Sequence, residues 1–62
     1  MKLVIIDFIT KKVLYKWIKT DVLPQDGATF VLDNKSFIVI ESVKYCGNSE
    51  EPTWVELYVT KA

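Results

Sequence analysis

Apolar and polar residues alternate with a period of two along almost the whole chain, and the alternating segments are rich in Val, Ile, Thr, Phe, Tyr and Trp. This pattern is typical of β-strands, and no segment shows the period of an amphipathic helix. The predicted strands are Lys2–Ile9, Val13–Thr20, Ala28–Leu32, Ser36–Cys46 and Thr53–Thr60. We therefore predict one all-β domain that covers residues 1–62.

Polar clusters between these segments predict the turns. The cluster Thr10–Lys12 is short enough to close a hairpin between the first two strands. Asp26 followed by Gly27 is a strong turn signal and ends the loop that leads into the third strand. Asp33 and Asn34 both tolerate left-handed backbone angles, so we expect a tight turn there.

The fourth predicted strand changes phase along its length. Phe37 and Val39 share one face with Glu41, yet apolar character resumes at Val43. A β-bulge or sharp bend near Glu41 and Ser42 explains the change. Such bends let a short sheet curl, so we predict about five short antiparallel strands in a small barrel or a strongly bent sheet. An SH3-like order is favoured over an OB-like one, since all connections are short and no segment remains for a helix.

The first strand is apolar on both faces, whereas a half-solvated antiparallel strand alternates with polar residues. A barrel this small can bury only one of the two sets. The second set is Val4, Ile6 and Phe8. We expect these three residues to lie at an interface with a second copy of the chain. The alternative is a strand that bends so that both faces meet one core.

The length of the chain also favours association with a second copy. Sixty-two residues are near the size at which a single core barely offsets the chain entropy. Cys46 is the only cysteine and histidine is absent, so the sequence offers neither an internal disulfide nor the usual ligands of a structural zinc. A homo-oligomer is therefore expected. No signal peptide or membrane span is recognisable, which predicts a cytoplasmic protein with no membrane partner.

Charge is balanced overall but unevenly distributed. The chain has eight lysines and eight acidic residues, and arginine is absent. The lysines of the Lys11–Lys19 block lie early in the chain, while Glu41, Glu50, Glu51 and Glu56 make the later half acidic. Because arginine is the preferred side chain for bidentate phosphate and guanine recognition, its absence weakens any case for sequence-specific nucleic-acid binding.

The inventory of reactive side chains is small. Without histidine, neither a serine triad nor a cysteine–histidine dyad can form. Cys46 is interpreted as a packing residue, and Glu50 and Glu51 as a solvated acidic loop, because calcium loops space their oxygen ligands at alternate positions. We expect no enzymatic activity, no cofactor and no metal.

The segment VLYKWIK contains the main candidate for a ligand or partner site. Its candidate residues are Tyr15, Lys16, Trp17 and Lys19, with Trp54 and Tyr58 on the last strand. On a regular strand Tyr15 and Trp17 share a face, where they could stack bases beside lysines that neutralise phosphates. In the competing interpretation the rings pack in a core or interface, and the lysines protect an edge strand from aggregation.

The segment LPQDGATFVLDNKSFIVIESVKY, followed by TWVELYV after a polar loop, resembles short uncharacterised phage and prophage β-barrel proteins. The resemblance covers about the last two thirds of the chain and carries only turn and packing positions. It implies an accessory protein of a phage or mobile element. Many such proteins bind stoichiometrically, for example defence inhibitors that occlude a host protein or sequester a signalling nucleotide.

Three functional hypotheses follow from the sequence. The first is a non-enzymatic protein that binds a host protein stoichiometrically. The second is sequestration of a signalling nucleotide, or binding of single-stranded nucleic acid, through the aromatic and lysine face. The third is a structural role in a phage particle.

Overall fold

A computed structural model of the chain describes residues 2–46 and 52–62. Its strands are β1 (Lys2–Asp7), β2 (Val13–Lys19), β3 (Thr29–Leu32), β4 (Lys35–Cys46) and β5 (Pro52–Lys61). They form one sheet in the order β2-β1-β5-β4-β3, strongly curled into a half-barrel. The prediction of a small all-β, barrel-like fold with five strands is confirmed. The predicted acidic loop with Glu50 and Glu51 lies outside the described residues.

One strand pairing differs from the expected antiparallel arrangement. β1 and β5 are parallel, with Leu3 opposite Val55 and Ile5 opposite Leu57, whereas the other three pairings are antiparallel. The prediction that all strands are antiparallel is wrong at this pair. The cause is the loop after β2, which carries the chain from one edge of the sheet to the other edge at β3. The β3-β4-β5 meander then brings β5 back beside β1 in the same direction.

The first hairpin begins earlier than the sequence predicted. The carboxylate of Asp7 accepts the backbone N–H of Ile9 at 2.8 Å, which starts a turn at Asp7. Lys11 adopts a left-handed φ of 63° in the same turn, and its N–H donates to the Asp7 carbonyl at 2.8 Å. Because the Asp7 side chain holds the turn, Phe8 and Ile9 lie outside β1 rather than within it.

The two other predicted turns are confirmed. Asp33 and Asn34 have φ values of 54° and 61° and connect β3 to β4, where Leu32 pairs with Lys35. This is the two-residue turn whose twist suits a hairpin. Gly27 has a φ of 85°. At this angle glycine is favoured because a Cβ atom would strain the backbone.

The predicted irregularity in β4 is also present, one residue earlier than expected. Val39 pairs with Val59 and Glu41 pairs with Tyr58, so Ile40 is the additional residue of a β-bulge. The bulge shifts the phase of β4. Inward-facing Phe37 and Val39 are therefore followed by Glu41 on the opposite, outer face.

The core lies on the inner, concave face of the sheet. Its seven buried side chains are Leu3, Ile5, Phe37, Val39, Val55, Leu57 and Val59. The partly buried residues packed against them are Tyr15, Ile18, Leu23, Phe30 and Leu32. Strands β1, β4 and β5 thus provide the centre of the core, and the edge strands and the Leu23 loop enclose it.

The outer face of β1 is covered within the single chain. Val4 and Ile6 are each 7% exposed, and they lie opposite Glu56 and Tyr58 of β5. Since these two side chains are already buried, they provide little surface for the predicted interface with a second copy. Phe8 is more exposed and can still contribute to one. Self-association stays a prediction. Among the three residues expected at the interface, Phe8 is the one exposed enough to support it.

Two identical substitutions test the position of the core. Ile5 is 1% exposed and Ile9 is 77% exposed. We expect Ile5→Val to lower the free energy of unfolding by about 0.5–1.5 kcal/mol, because it removes a buried methylene group. Ile9→Val should leave this free energy within about 0.5 kcal/mol of the parent value. Urea denaturation measures both, and equal effects would contradict the described core.

Candidate binding surface

Three side chains of β5 project onto the outer face of the sheet. They are Trp54, Glu56 and Tyr58, which alternate with the inward-facing valines and leucine of the core. Register brings β4 alongside them, with Tyr45 opposite Trp54 and Glu41 opposite Tyr58. The outer face therefore combines aromatic rings with two carboxylates.

The aromatic rings of this face contact one another. Tyr45 stacks on Trp54 with ring centroids 4.8 Å apart and an angle of 11° between the planes. Trp17 meets Trp54 edge to face at 6.2 Å and 82°. Both arrangements are favourable for aromatic pairs. We refer to Phe8, Trp17, Tyr45, Trp54 and Tyr58 as the outer aromatic cluster.

Trp17 belongs to this cluster because of a bulge in β2. Leu3 pairs with Ile18 and Ile5 pairs with Tyr15, so two residues of β2, Lys16 and Trp17, lie opposite the single residue Val4. Trp17 has a φ of 58°. A left-handed conformation is a genuine outlier for so large a side chain, and such strain costs on the order of 1–3 kcal/mol.

The bulge places Tyr15 and Trp17 in different environments. Tyr15 packs against the inner core, where its ring meets Phe37 at 6.5 Å and 80° and its hydroxyl donates to Asp33 at 3.5 Å. Trp17 lies with Trp54 on the outer face. The prediction that Tyr15 and Trp17 share a face is wrong, because one additional residue in a strand reverses the alternation.

The structure divides the predicted site residues into three groups. Trp17, Trp54 and Tyr58 come together in the outer aromatic cluster, whereas Tyr15 belongs to the core. Lys16 and Lys19 are exposed on β2, which is an edge strand. Charged side chains on an edge strand discourage pairing with other chains, so the lysines also fit this protective role.

Glu56 connects two rings of the cluster. One of its oxygens, Oε1, accepts the Tyr45 hydroxyl at 3.1 Å and the Tyr58 hydroxyl at 3.0 Å. These hydrogen bonds raise the pKa of both tyrosines above the usual tyrosine value, with smaller contributions from burial and from the charge of Glu56. Glu41 adds to the rise in the pKa of Tyr58.

Lys11 links Phe8 to Tyr58 within the cluster. Its Nζ atom lies 4.3 Å from the centroid of the Phe8 ring and 5.2 Å from that of Tyr58. Both distances are within the range of cation–π attraction. The first turn of the chain is thereby held against the last strand.

Tyr45, Glu56 and Lys11 are the members of this surface that sequence reasoning did not select as site residues. The alternation of β5 places Glu56 between Trp54 and Tyr58, and this signal is readable from the sequence. Tyr45 and Lys11 depend on contacts between distant segments. Their positions required the β4–β5 register and the left-handed turn at Lys11.

The inner side of the half-barrel contains a groove and a smaller cleft. A groove of about 220 Å³ is lined mainly by apolar side chains, including Ile18, Phe30 and Leu32 of the two edge strands. A smaller cleft of about 90 Å³ lies beside Tyr15, with Lys35 at its rim. Within residues 2–46 and 52–62, no group of three or more Cys, Asp or Glu side chains could hold a metal ion. The same residues include no helix of the length and apolarity needed to cross a bilayer.

Comparison with models of known protein families, with curated proteins and with solved structures finds no match for the chain.

The backbone of Trp17 can be tested with two substitutions that both remove the ring. In an ordinary strand, glycine is less stable than alanine by roughly 0.5–1 kcal/mol. At a φ of 58° the order should reverse, since glycine adopts this angle without strain. We expect Trp17→Gly to be more stable than Trp17→Ala by about 0.5–1 kcal/mol in urea denaturation. The ordinary order would contradict the left-handed bulge.

The shared hydrogen bond at Glu56 predicts a specific response to alkaline pH. Because the folded chain raises the pKa of Tyr45 and Tyr58, the unfolded chain loses their phenol protons first. The stability from this site is therefore complete below the ordinary tyrosine pKa of about 10 and declines as the pH rises through the raised values. We expect a steeper decline in the parent protein than in Glu56→Gln.

Denaturant unfolding between about pH 9 and pH 11.5 measures this difference around the tyrosine titration range. Glu56→Gln keeps a carbonyl acceptor for the two hydroxyls and removes the charge, and every other side chain is the same in both proteins. Parallel pH profiles would show that Glu56 does not control the two tyrosines.

Proposed function

We propose that this protein is a small non-enzymatic binding protein that acts by stoichiometric occupation of a surface on a protein partner. The outer aromatic cluster is the proposed contact. The observation that supports it most directly is Trp17, which is 55% exposed although its backbone is strained and its ring packs against Trp54. Strain that persists at an exposed aromatic residue is typical of functional positions.

The composition of the cluster favours a protein contact. Tyrosine and tryptophan are enriched at protein interfaces, where they provide a large contact area. The contacts of Trp54 with both Tyr45 and Trp17 also limit the motion of the three rings before a partner arrives. Less side-chain entropy is then lost on binding.

The same surface is less suited to a polyanion. Glu56 lies within the cluster and Glu41 lies beside Tyr58, so two carboxylates would face the phosphates of a bound nucleic acid. The negative charges of these carboxylates and of the phosphates would repel one another. The second candidate function, binding of a nucleotide or single-stranded nucleic acid, is supported by the exposed side chains of Trp17, Lys16 and Lys19. Its contact would lie at the β2 end of the face, away from Glu41.

The resemblance to phage and prophage proteins suggests the setting of this activity. We propose an accessory factor of a phage or mobile element that works in the host cytoplasm and binds a host protein, for example to inhibit a defence system. A structural role in the phage particle is the alternative within the same setting. Self-association through Phe8 and neighbouring exposed rings is part of the proposal.

The experiment compares capture of a host protein by three forms of the chain. Tagged parent protein, Trp17→Ala and Val22→Ala are incubated with host lysate, and the captured complexes are weighed by native mass spectrometry. Val22 is 73% exposed and lies in the loop after β2, so it is a control for loss of exposed apolar area. We expect Trp17→Ala to weaken capture by about tenfold or more, as for an interface hot spot. Val22→Ala should have no effect.

Native mass also reports the stoichiometry and the self-association of the free chain. A fixed integer ratio of the two proteins in the complex is expected. Equal capture by the parent and Trp17→Ala would contradict the proposed contact. Binding of an added oligonucleotide or cyclic nucleotide that is lost in Trp17→Ala would favour the second function.

A further inference from the structure

The outer aromatic cluster contains a carboxylate that a docked partner would have to accommodate. Glu56 is half-buried in the free chain, and its Oε1 atom is shared by the hydroxyls of Tyr45 and Tyr58. A partner that covers the rings also removes water from Glu56. Burying a carboxylate is costly unless the partner brings a charge or hydrogen-bond donors to it. The chemistry of Glu56 therefore restricts which surfaces can bind here.

The rings around Glu56 have the same electrostatic preference. The faces of Tyr and Trp rings carry negative potential, which attracts cations. Glu41 lies opposite Tyr58 and adds a second negative charge. Carboxylates and ring faces thus act together, and both favour a positively charged group over an apolar or anionic one.

The chain itself places an ammonium group against the rings of this face. The Nζ atom of Lys11 lies over Phe8 and close to Tyr58, at 4.3 Å and 5.2 Å from the ring centroids. This contact is at one end of the cluster. Elsewhere in the cluster Tyr45 stacks on Trp54 at 4.8 Å, and its hydroxyl donates to Glu56.

We propose that the outer aromatic cluster receives a lysine or arginine side chain of a partner protein, with the cation paired to Glu56 and in contact with the rings of Trp54 and Tyr58. This inference rests on the proposed function, because it names the chemistry of the partner at the same surface. A cationic side chain satisfies the carboxylate and the ring faces at once. An apolar side chain satisfies neither the charge nor the hydrogen-bonding capacity of Glu56.

The test uses two small probes of similar shape, one charged and one neutral. Tetramethylammonium chloride and tert-butanol are titrated separately into the full chain, and the indole N–H signals of Trp17 and Trp54 are followed by nuclear magnetic resonance. Sodium chloride is exchanged for tetramethylammonium chloride at constant ionic strength, so that general screening does not change. We expect saturable shifts of the Trp54 signal with tetramethylammonium and only weak, linear shifts with tert-butanol.

Two variants assign the effect to Glu56. Glu56→Gln should weaken tetramethylammonium binding by about fivefold or more, since the charge is lost while a carbonyl acceptor for the tyrosines is kept. Asp21→Asn removes an equal charge in the exposed loop after β2 and should have no effect. Thermal unfolding of each variant verifies that it is folded.

The outcomes separate this inference from the proposed function. Equal saturation with tert-butanol, or unchanged binding in Glu56→Gln, would overturn cation recognition even where Trp17→Ala abolishes capture of a host protein. Unchanged capture by Trp17→Ala would instead overturn the proposed function, whatever the probes show. If Glu56→Gln abolishes self-association of the free chain, the basic side chain belongs to a second copy, which overturns the assignment to a different protein.

Discussion

The parallel pairing of β1 with β5 is the contact on which the rest of the structure depends. It joins the β1–β2 hairpin to the β3-β4-β5 meander and makes β5 the central strand of the sheet. Val55, Leu57 and Val59 of β5 are 0% exposed and form the middle of the core. A strand in this position presents its other face to the outside as well. That face carries the aromatic side chains of Trp17 on β2, Tyr45 on β4, and Trp54 and Tyr58 on β5.

The alternation of the sequence was sufficient to predict the five strands, and the turn residues were sufficient to predict the turns. Asp33, Asn34 and Gly27 act locally, so their backbone angles follow from residue type. The bulge at Ile40 was visible as a change of phase. Strand neighbours were not predictable in this way, because alternation describes the faces of a strand but not its partner. The parallel pair was therefore missed.

The candidate site was predicted in part for a related reason. Trp54 and Tyr58 follow from the alternation of β5 alone, and Trp17 was selected for its residue type. The bulge that separates Trp17 from Tyr15 has no local signal, since tryptophan rarely adopts a left-handed angle. Its ring contact with Trp54 is worth about 0.5–1.5 kcal/mol, an amount comparable to the strain rather than clearly larger. The contribution of Trp17 to stability therefore does not account for its position, which agrees with the proposed binding role of the exposed ring.

The outer face has a structural role and a proposed binding role, and the two constrain each other. Val4 and Ile6 are buried on this face, whereas Trp17 and Tyr45 remain exposed there. The carboxylate of Glu56 fits both roles, since it accepts hydrogen bonds from two tyrosines and would set the charge that the proposed partner meets. Replacing Glu56 with an apolar residue would bury more of β1, but it would also remove the negative charge that favours a cationic partner.

The central parallel pair has a consequence for the order of assembly. The β1–β2 and β3–β4 hairpins each close over a short stretch of chain, so they can form early. Leu3 meets Val55 only after β2, β3 and β4 have been made, and this closure has a larger entropic cost than either hairpin. During synthesis, the apolar side chains of β1 on both faces therefore stay uncovered until β5 leaves the ribosome. β5, the last of the five strands to be made, is the one that joins the two hairpins into a single sheet.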